Sequence, residues 1–189
     1  MFGGHTVLRA ATVTGFNDRE AHCCILELVL YLIRAAETPS DIHAVRGLLR
    51  EYVDYLNGSL GAEHICLAKY EEELAGLPSP YEVLLIACAA DGHGSDEVAG
   101  CVLLKPIEGG CEMKRLWVRP KFQGWGVGRK LVESLIEEAR RRGYTAMYLD
   151  TVPAAMKAAS HLYSALGFAP VERYNDNSVP DVVFFRRDL

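Results

Sequence analysis

The stretch Phe122–Gly143, FQGWGVGRKLVESLIEEARRRG, decides how the rest of the chain is read. Its second part repeats apolar residues at helical spacing, with Val127, Leu131, Val132, Leu135, Ile136 and Ala139 on one face. Arg140–Arg142 fill the last turn, where positive charge suits the helix dipole, and Gly143 is a good C-terminal cap. Its first part is poor core material, because Gly124, Gly126 and Gly128 alternate there. Glycine brings no side chain to pack and loses the most backbone freedom on folding. A glycine loop just ahead of a helix does, however, gather unpaired backbone N–H groups at the positive end of the helix dipole. A phosphate can approach such a bare backbone closely. The stretch therefore predicts an anion site, with Arg129 and Lys130 at its mouth.

Upstream, CEMKRLWVRP (111–120) reads as a strand closed by Pro120. Before it, EVLLIACAA (82–90) and EVAGCVLLKPI (97–107), separated by DGHGSD, read as a hairpin. Further back, YLIRAA (31–36) is a strand, followed by a helix with Thr38 as N-cap, Pro39 in the first position and Asp41 in the first turn. Ile42, Val45, Leu48, Leu49, Tyr52, Val53 and Leu56 keep helical spacing until Asn57-Gly58, and a second helix spans about Lys69–Ala75. Downstream come a strand (AMYLDTV, 146–152), a helix ending at Gly167, and a last strand (VVFFRR, 182–187). The order predicts an α/β fold: one mixed, largely antiparallel central sheet flanked by helices. Residues 30–189 form that domain, and residues 1–29 are an N-terminal extension of unassigned role.

Composition fits a globular chain: 189 residues, half of them apolar, 24% charged and a net charge of −5. No apolar run reaches membrane-span length and no secretory signal is evident, so a cytoplasmic location is expected. The acidic balance argues against a nucleic-acid binder. The six cysteines have no metal-ligand or paired spacing, which predicts reduced thiols and no metal. Six basic residues and no acidic one lie between Lys114 and Lys130, a pattern that suits either a small anionic ligand or a solvated basic face.

The loop spacing excludes two phosphate motifs. A Walker A loop needs a Lys-Ser/Thr pair that is absent, and G-x-G-x-G is not the G-x-G-x-x-G of dinucleotide folds. The pattern Q-x-x-G-x-G, on Gln123, Gly126 and Gly128, resembles the acetyl-CoA loop of the GNAT superfamily of N-acetyltransferases. EMKRLWVRPKF resembles that family's fourth strand, and HLYSALGF (161–168) resembles its second signature, a helix ending in L-Y-x-x-x-G-F. The resemblance covers all but the N-terminal extension.

It implies acetyl-CoA as co-substrate. Gln123 opens the coenzyme loop, backbone amides from Gly124, Trp125, Gly126, Val127, Gly128 and Arg129 would meet the pyrophosphate, and Leu116, Trp117 and Val118 would bind the pantetheine arm through main-chain bonds. A main-chain N–H near Val118 would stabilise the oxyanion, and Tyr163 would protonate the leaving thiolate. Glu112 and Asp150 are the candidate general bases, each equally readable as a salt-bridged strand carboxylate. Met156 stands where many relatives carry a coenzyme-binding Asn, and Trp125 is expected either to stack on the ligand or to face solvent. The implied acceptor is a small-molecule or peptide amine. A homodimer is the assembly such exposed sheet edges suggest, and a non-catalytic acyl-CoA binding or sensing module is the alternative on the same fold.

Overall fold

The computed structural model describes residues 5–10, 28–60, 67–90 and 96–189. The described strands form one sheet: β1 (His5–Ala10), β2 (Leu28–Ala35), β3 (Val83–Ala90), β4 (Asp96–Ile107), β5 (Gly110–Val118), β6 (Ala146–Thr151), β7 (Ala169–Val171) and β8 (Val183–Asp188). Their spatial order is β1-β2-β3-β4-β5-β6-β8-β7. Every neighbouring pair is antiparallel except β5 and β6, which run parallel. The mixed, largely antiparallel sheet expected from the sequence is therefore present. Within the residues read as an extension, His5–Ala10 adds a strand beside β2. Its six residues are too few to show a clear periodicity.

Helices α1 (Pro39–Leu60) and α2 (Leu67–Gly76) cover one face, and α3 (Val127–Arg141) and α4 (Lys157–Ala165) cover the other. The start of α1 follows its sequence. Thr38 Oγ1 accepts from Asp41 N (3.1 Å) and Asp41 Oδ2 accepts from Thr38 N (3.1 Å), a reciprocal capping box. Arg34 at the end of β2 clamps the same carboxylate at 2.7 and 2.9 Å. Alternation along β3 feeds both cores: Val83, Leu85 and Ala87 face α3, whereas Leu84, Ile86 and Cys88 face α1 and α2.

That alternation inverts within β5. Cys111 and Met113 pack with the α3 core, yet Trp117 packs with the α1 core and Leu116 and Val118 lie against the α3 side. The ladder gives the cause. Leu103 faces Lys114 and Cys101 faces Trp117, so Arg115 and Leu116 together oppose Val102. One extra residue makes a β-bulge and turns every later side chain to the other face.

Candidate active site

The parallel neighbours β5 and β6 are paired only at Cys111↔Met147 and Glu112↔Tyr148. Beyond those two pairs the strands part, and the parting is the origin of the site. A cavity of about 720 Å3 opens there, lined by Leu116, Trp117 and Val118 of β5, by the glycine loop, and by Ala154, Ala155, Met156, Ala159 and Leu162 from the far side. Tyr55 of α1 spans its rim, with its ring against Trp117 (centroids 5.1 Å apart) and its hydroxyl donating to the Ala155 carbonyl (3.0 Å).

At the other end lies the loop. Pro120–Phe122 make a short 3-10 turn, Gly124 and Gly126 take φ of +80° and +82°, and Gly126 is the N-cap of α3. Those two positions need glycine for their backbone alone. Gly128 does not: it is helical, and a Cβ there would meet Val118 Cγ2 at 3.6 Å and Leu162 Cδ2 at 3.9 Å, ordinary contacts. Its bareness keeps open the cavity that it lines. The Gln123 side chain turns back to donate to the Val118 carbonyl (2.9 Å), fastening the loop to the end of β5.

A second, smaller cavity of about 40 Å3 meets the first at Leu116 and Met156, and is further lined by Tyr52, Met113, Lys114, Arg115, Asp150, Thr151 and Tyr163. Tyr163 is 5% exposed and packs edge-on to Phe168 (6.0 Å). Burial raises its pKa well above the usual phenol range, so it holds its proton at neutral pH. Asp150 accepts from Lys114 Nζ (3.1 and 3.2 Å), Asn175 Nδ2 (2.9 Å) and Asn177 Nδ2 (3.1 Å). Burial works to raise its pKa, but the Lys114 charge and the amide donors outweigh burial and hold the carboxyl below its usual value. Glu112 lies behind, bonded to Tyr174 Oη (2.7 Å), Asn175 Nδ2 (2.9 Å) and Lys114 Nζ (3.2 Å). The two candidate bases thus share one lysine and one asparagine, and of the two only Asp150 borders the small cavity.

The basic run is not one anion-binding face. Lys114 pairs with Glu112 and Asp150, Arg115 with Glu73, Arg119 with Glu51 and Glu97, and Lys121 with Glu97. Glu51, Glu73 and Glu97, brought in from α1, α2 and β4, were invisible to sequence reading, whereas Glu112 and Asp150 make the strand salt bridges that it allowed. Only Arg129 of the run lines the large cavity, where it also pairs with Glu133 at 3.5 Å. Trp125 packs edge-on to Phe122 (5.8 Å) and is absent from the cavity wall, so the stacking expectation has no geometric support. Sequence reading also missed Tyr174 and Tyr55, which carry no motif, and took Lys114 only as one end of the basic run. Cys88, Cys101 and Cys111 are buried thiols, and burial pushes Cys101 and Cys111 up to about 12. Cys23, Cys24 and Cys66 lie outside the described residues. Among the described residues no group of side chains could hold a metal ion, and no helix is long and apolar enough to cross a membrane.

A parted strand pair, a glycine loop at a helix N-terminus and a buried tyrosine beside the bulge match one family. The family model described as "Acetyltransferase (GNAT) family" matches residues 46–168. The chain belongs to the GNAT acetyltransferase family. An uncharacterized N-acetyltransferase of Schizosaccharomyces pombe is 33% identical over 163 residues, covering 83% of this chain and 94% of its own length. Among solved structures, a GNAT acetyltransferase from Staphylococcus aureus superposes with a TM-score of 0.66 at 16% identity, covering 84% of this chain and 98% of that one. A GNAT N-acetyltransferase of Escherichia coli, solved with CoA, gives a TM-score of 0.55 at 22% identity, covering 84% of this chain and 81% of that one. These structural likenesses show that this GNAT acetyltransferase has the family fold.

Proposed function

We propose that this protein transfers an acetyl group from acetyl-CoA to a primary amine by direct attack on the thioester. The observation that carries the reading is the continuous space from the glycine loop to the meeting of the two cavities at Leu116 and Met156. The pyrophosphate rests on the amides of Gly124–Arg129 at the N-terminus of α3. The pantetheine arm lies along the side of Leu116–Val118 that β6 leaves open, as an added strand would. That course brings the acetyl group to the bulge, within reach of Tyr163 and Asp150.

There the amine lone pair attacks the carbonyl carbon. The new C–N bond forms, negative charge gathers on the carbonyl oxygen, and a β5 backbone N–H stabilises it. Because Arg115 and Leu116 are the bulged pair, the donor is Leu116 N–H, two residues before the Val118 expected from sequence. The C–S bond then breaks, the thiolate takes the Tyr163 proton, and the proton lost by the amine passes through water to Asp150. Exchange with solvent returns a proton to Tyr163 and removes the one on Asp150. Glu112 holds Lys114 and Asn175 against Asp150, keeping that carboxylate ionised and in place.

Calorimetric titration with acetyl-CoA tests the coenzyme reading, with Gly126→Asp as the control that blocks the loop. Binding in the wild type and its loss in the variant is the expected result. Absence of binding in folded wild type overturns it. Amine-dependent release of CoA then separates an enzyme from a non-catalytic acyl-CoA module, which would bind the coenzyme without releasing it.

A further inference from the structure

Arg115 is unusual in its backbone: at φ 58° it is left-handed, a region that a long side chain enters only where its surroundings over-determine it. Those surroundings lie on the face opposite the coenzyme cavity. Arg115 Nε donates to Glu73 Oε1 (3.0 Å) and Nη2 to Glu73 Oε2 (2.5 Å), a bidentate pair reaching from β5 to α2. The guanidinium also lies over the Tyr70 ring, 5.0 Å from its centroid. Each partner is itself held. Tyr81 donates its hydroxyl to Glu73 Oε1, and the Tyr70 hydroxyl donates to the Leu49 carbonyl of α1 (2.7 Å). The pair is partly buried, and both carboxylate oxygens are engaged.

Arg115 and Leu116 are the two residues of the bulge, and Leu116 borders both cavities. We propose that Arg115, gripped by Glu73 and Tyr70, is a positioning residue that fixes the β5 bulge and so aims the Leu116 N–H at the thioester carbonyl. The inference rests on the coenzyme reading above. It assigns to α2, which contributes no residue to the coenzyme cavity, the task of setting the thioester geometry. Glu73, Tyr70 and Tyr81 act through Arg115 and touch no reacting atom.

The test is the infrared carbonyl band of acetyl-CoA labelled with carbon-13 at the thioester, free and bound. A donor aimed at that oxygen moves the band to lower frequency. Arg115→Gly suits the question, because glycine accepts φ 58° without strain, so the variant loses the clamp and the part of the small-cavity wall that Arg115 forms. Glu73→Gln removes the charge from the other side at nearly constant shape. The expected result is a shifted band in the wild type and loss of most of that shift in both variants, with affinity for CoA itself unchanged. A full shift in both variants overturns the inference and leaves the coenzyme reading intact. Should Arg115→Gly not fold, Glu73→Gln decides in the same two ways. A wild type that does not bind acetyl-CoA, or binds it with no shift, overturns the coenzyme or oxyanion reading, and the inference falls with it.

Discussion

At the scale of single residues, Gly128 separates what the fold needs from what a ligand needs. Replacing it with Ala meets only ordinary contacts, and Ala is favoured over Gly inside a helix by up to about 1 kcal/mol. Gly128→Ala is therefore expected to melt at or above the wild-type temperature while coenzyme affinity falls about tenfold or more, ~1.4 kcal/mol; parallel melting and calorimetry read both. Tyr163→Phe removes one oxygen from a buried ring. Turnover is expected to fall about 100-fold, as when a general acid is lost, with CoA affinity unchanged; unaltered turnover would return Tyr163 to the core packing it also serves. Asp150 makes a prediction in pH. Its folded pKa lies below the ordinary 3.8, so its charge stabilises the protein above that value. That contribution is lost as the pH falls from about 4 through the folded pKa. Acid melts of the wild type should show this loss, and Asp150→Asn should lack that part of the slope. Sequence singled out Gly128 and Tyr163 through their places in two signatures, and Asp150 only as a strand carboxylate that could serve as a base. It could not single out Lys114 or Tyr174, whose meaning comes from partners 36 and 62 residues distant.

Whole elements were legible where their local signals agreed. α1 begins at Thr38–Asp41 because the capping residues, the proline and the apolar spacing all point the same way. The face of α3 read from the sequence is the face that is buried, with Glu138 also buried there through its ion pair with Arg142. β7 was missed because Ala169–Val171 is three exposed residues, too short to show alternation. The bulge of β5 left no trace either, since an inserted residue changes only the register, and Arg115 is not a residue that announces a left-handed turn. α4 carries a prediction of its own. Its N-cap is Met156, which makes no side-chain cap, where Asn would accept from the first free N–H groups. Met156→Asn is expected to stabilise the protein by about 1 kcal/mol and to tighten coenzyme binding, since residue 156 lines both cavities. A higher melting temperature with no change in affinity would confine Met156 to the helix end.

For the molecule as a whole, the decisive feature is that two register pairs join β1–β5 to β6–β8. The order of elements carried the fold class and the place of the crossover helix, but not the width of this join, because strand pairing between distant segments has no local signature. A ligand bound in the gap touches both parts, so saturation at about 100 times Kd should stabilise the protein by about 2.7 kcal/mol. Hydrogen exchange should locate that gain, slowing at Leu116–Val118 and at Ala146–Thr151 together; slowing on one side alone would mean that the ligand does not span the gap. The same parting has a second consequence. An unpaired strand edge is usually a hazard at the rim of a sheet, where another chain can add to it and start an aggregate. In β5 that edge is turned inward, with Tyr55 bridging its entrance to Ala155. A second folded copy is too thick to enter. A slender flexible chain carrying amide groups of its own can, so the width of the slot keeps this edge from pairing with another copy and leaves it to a ligand.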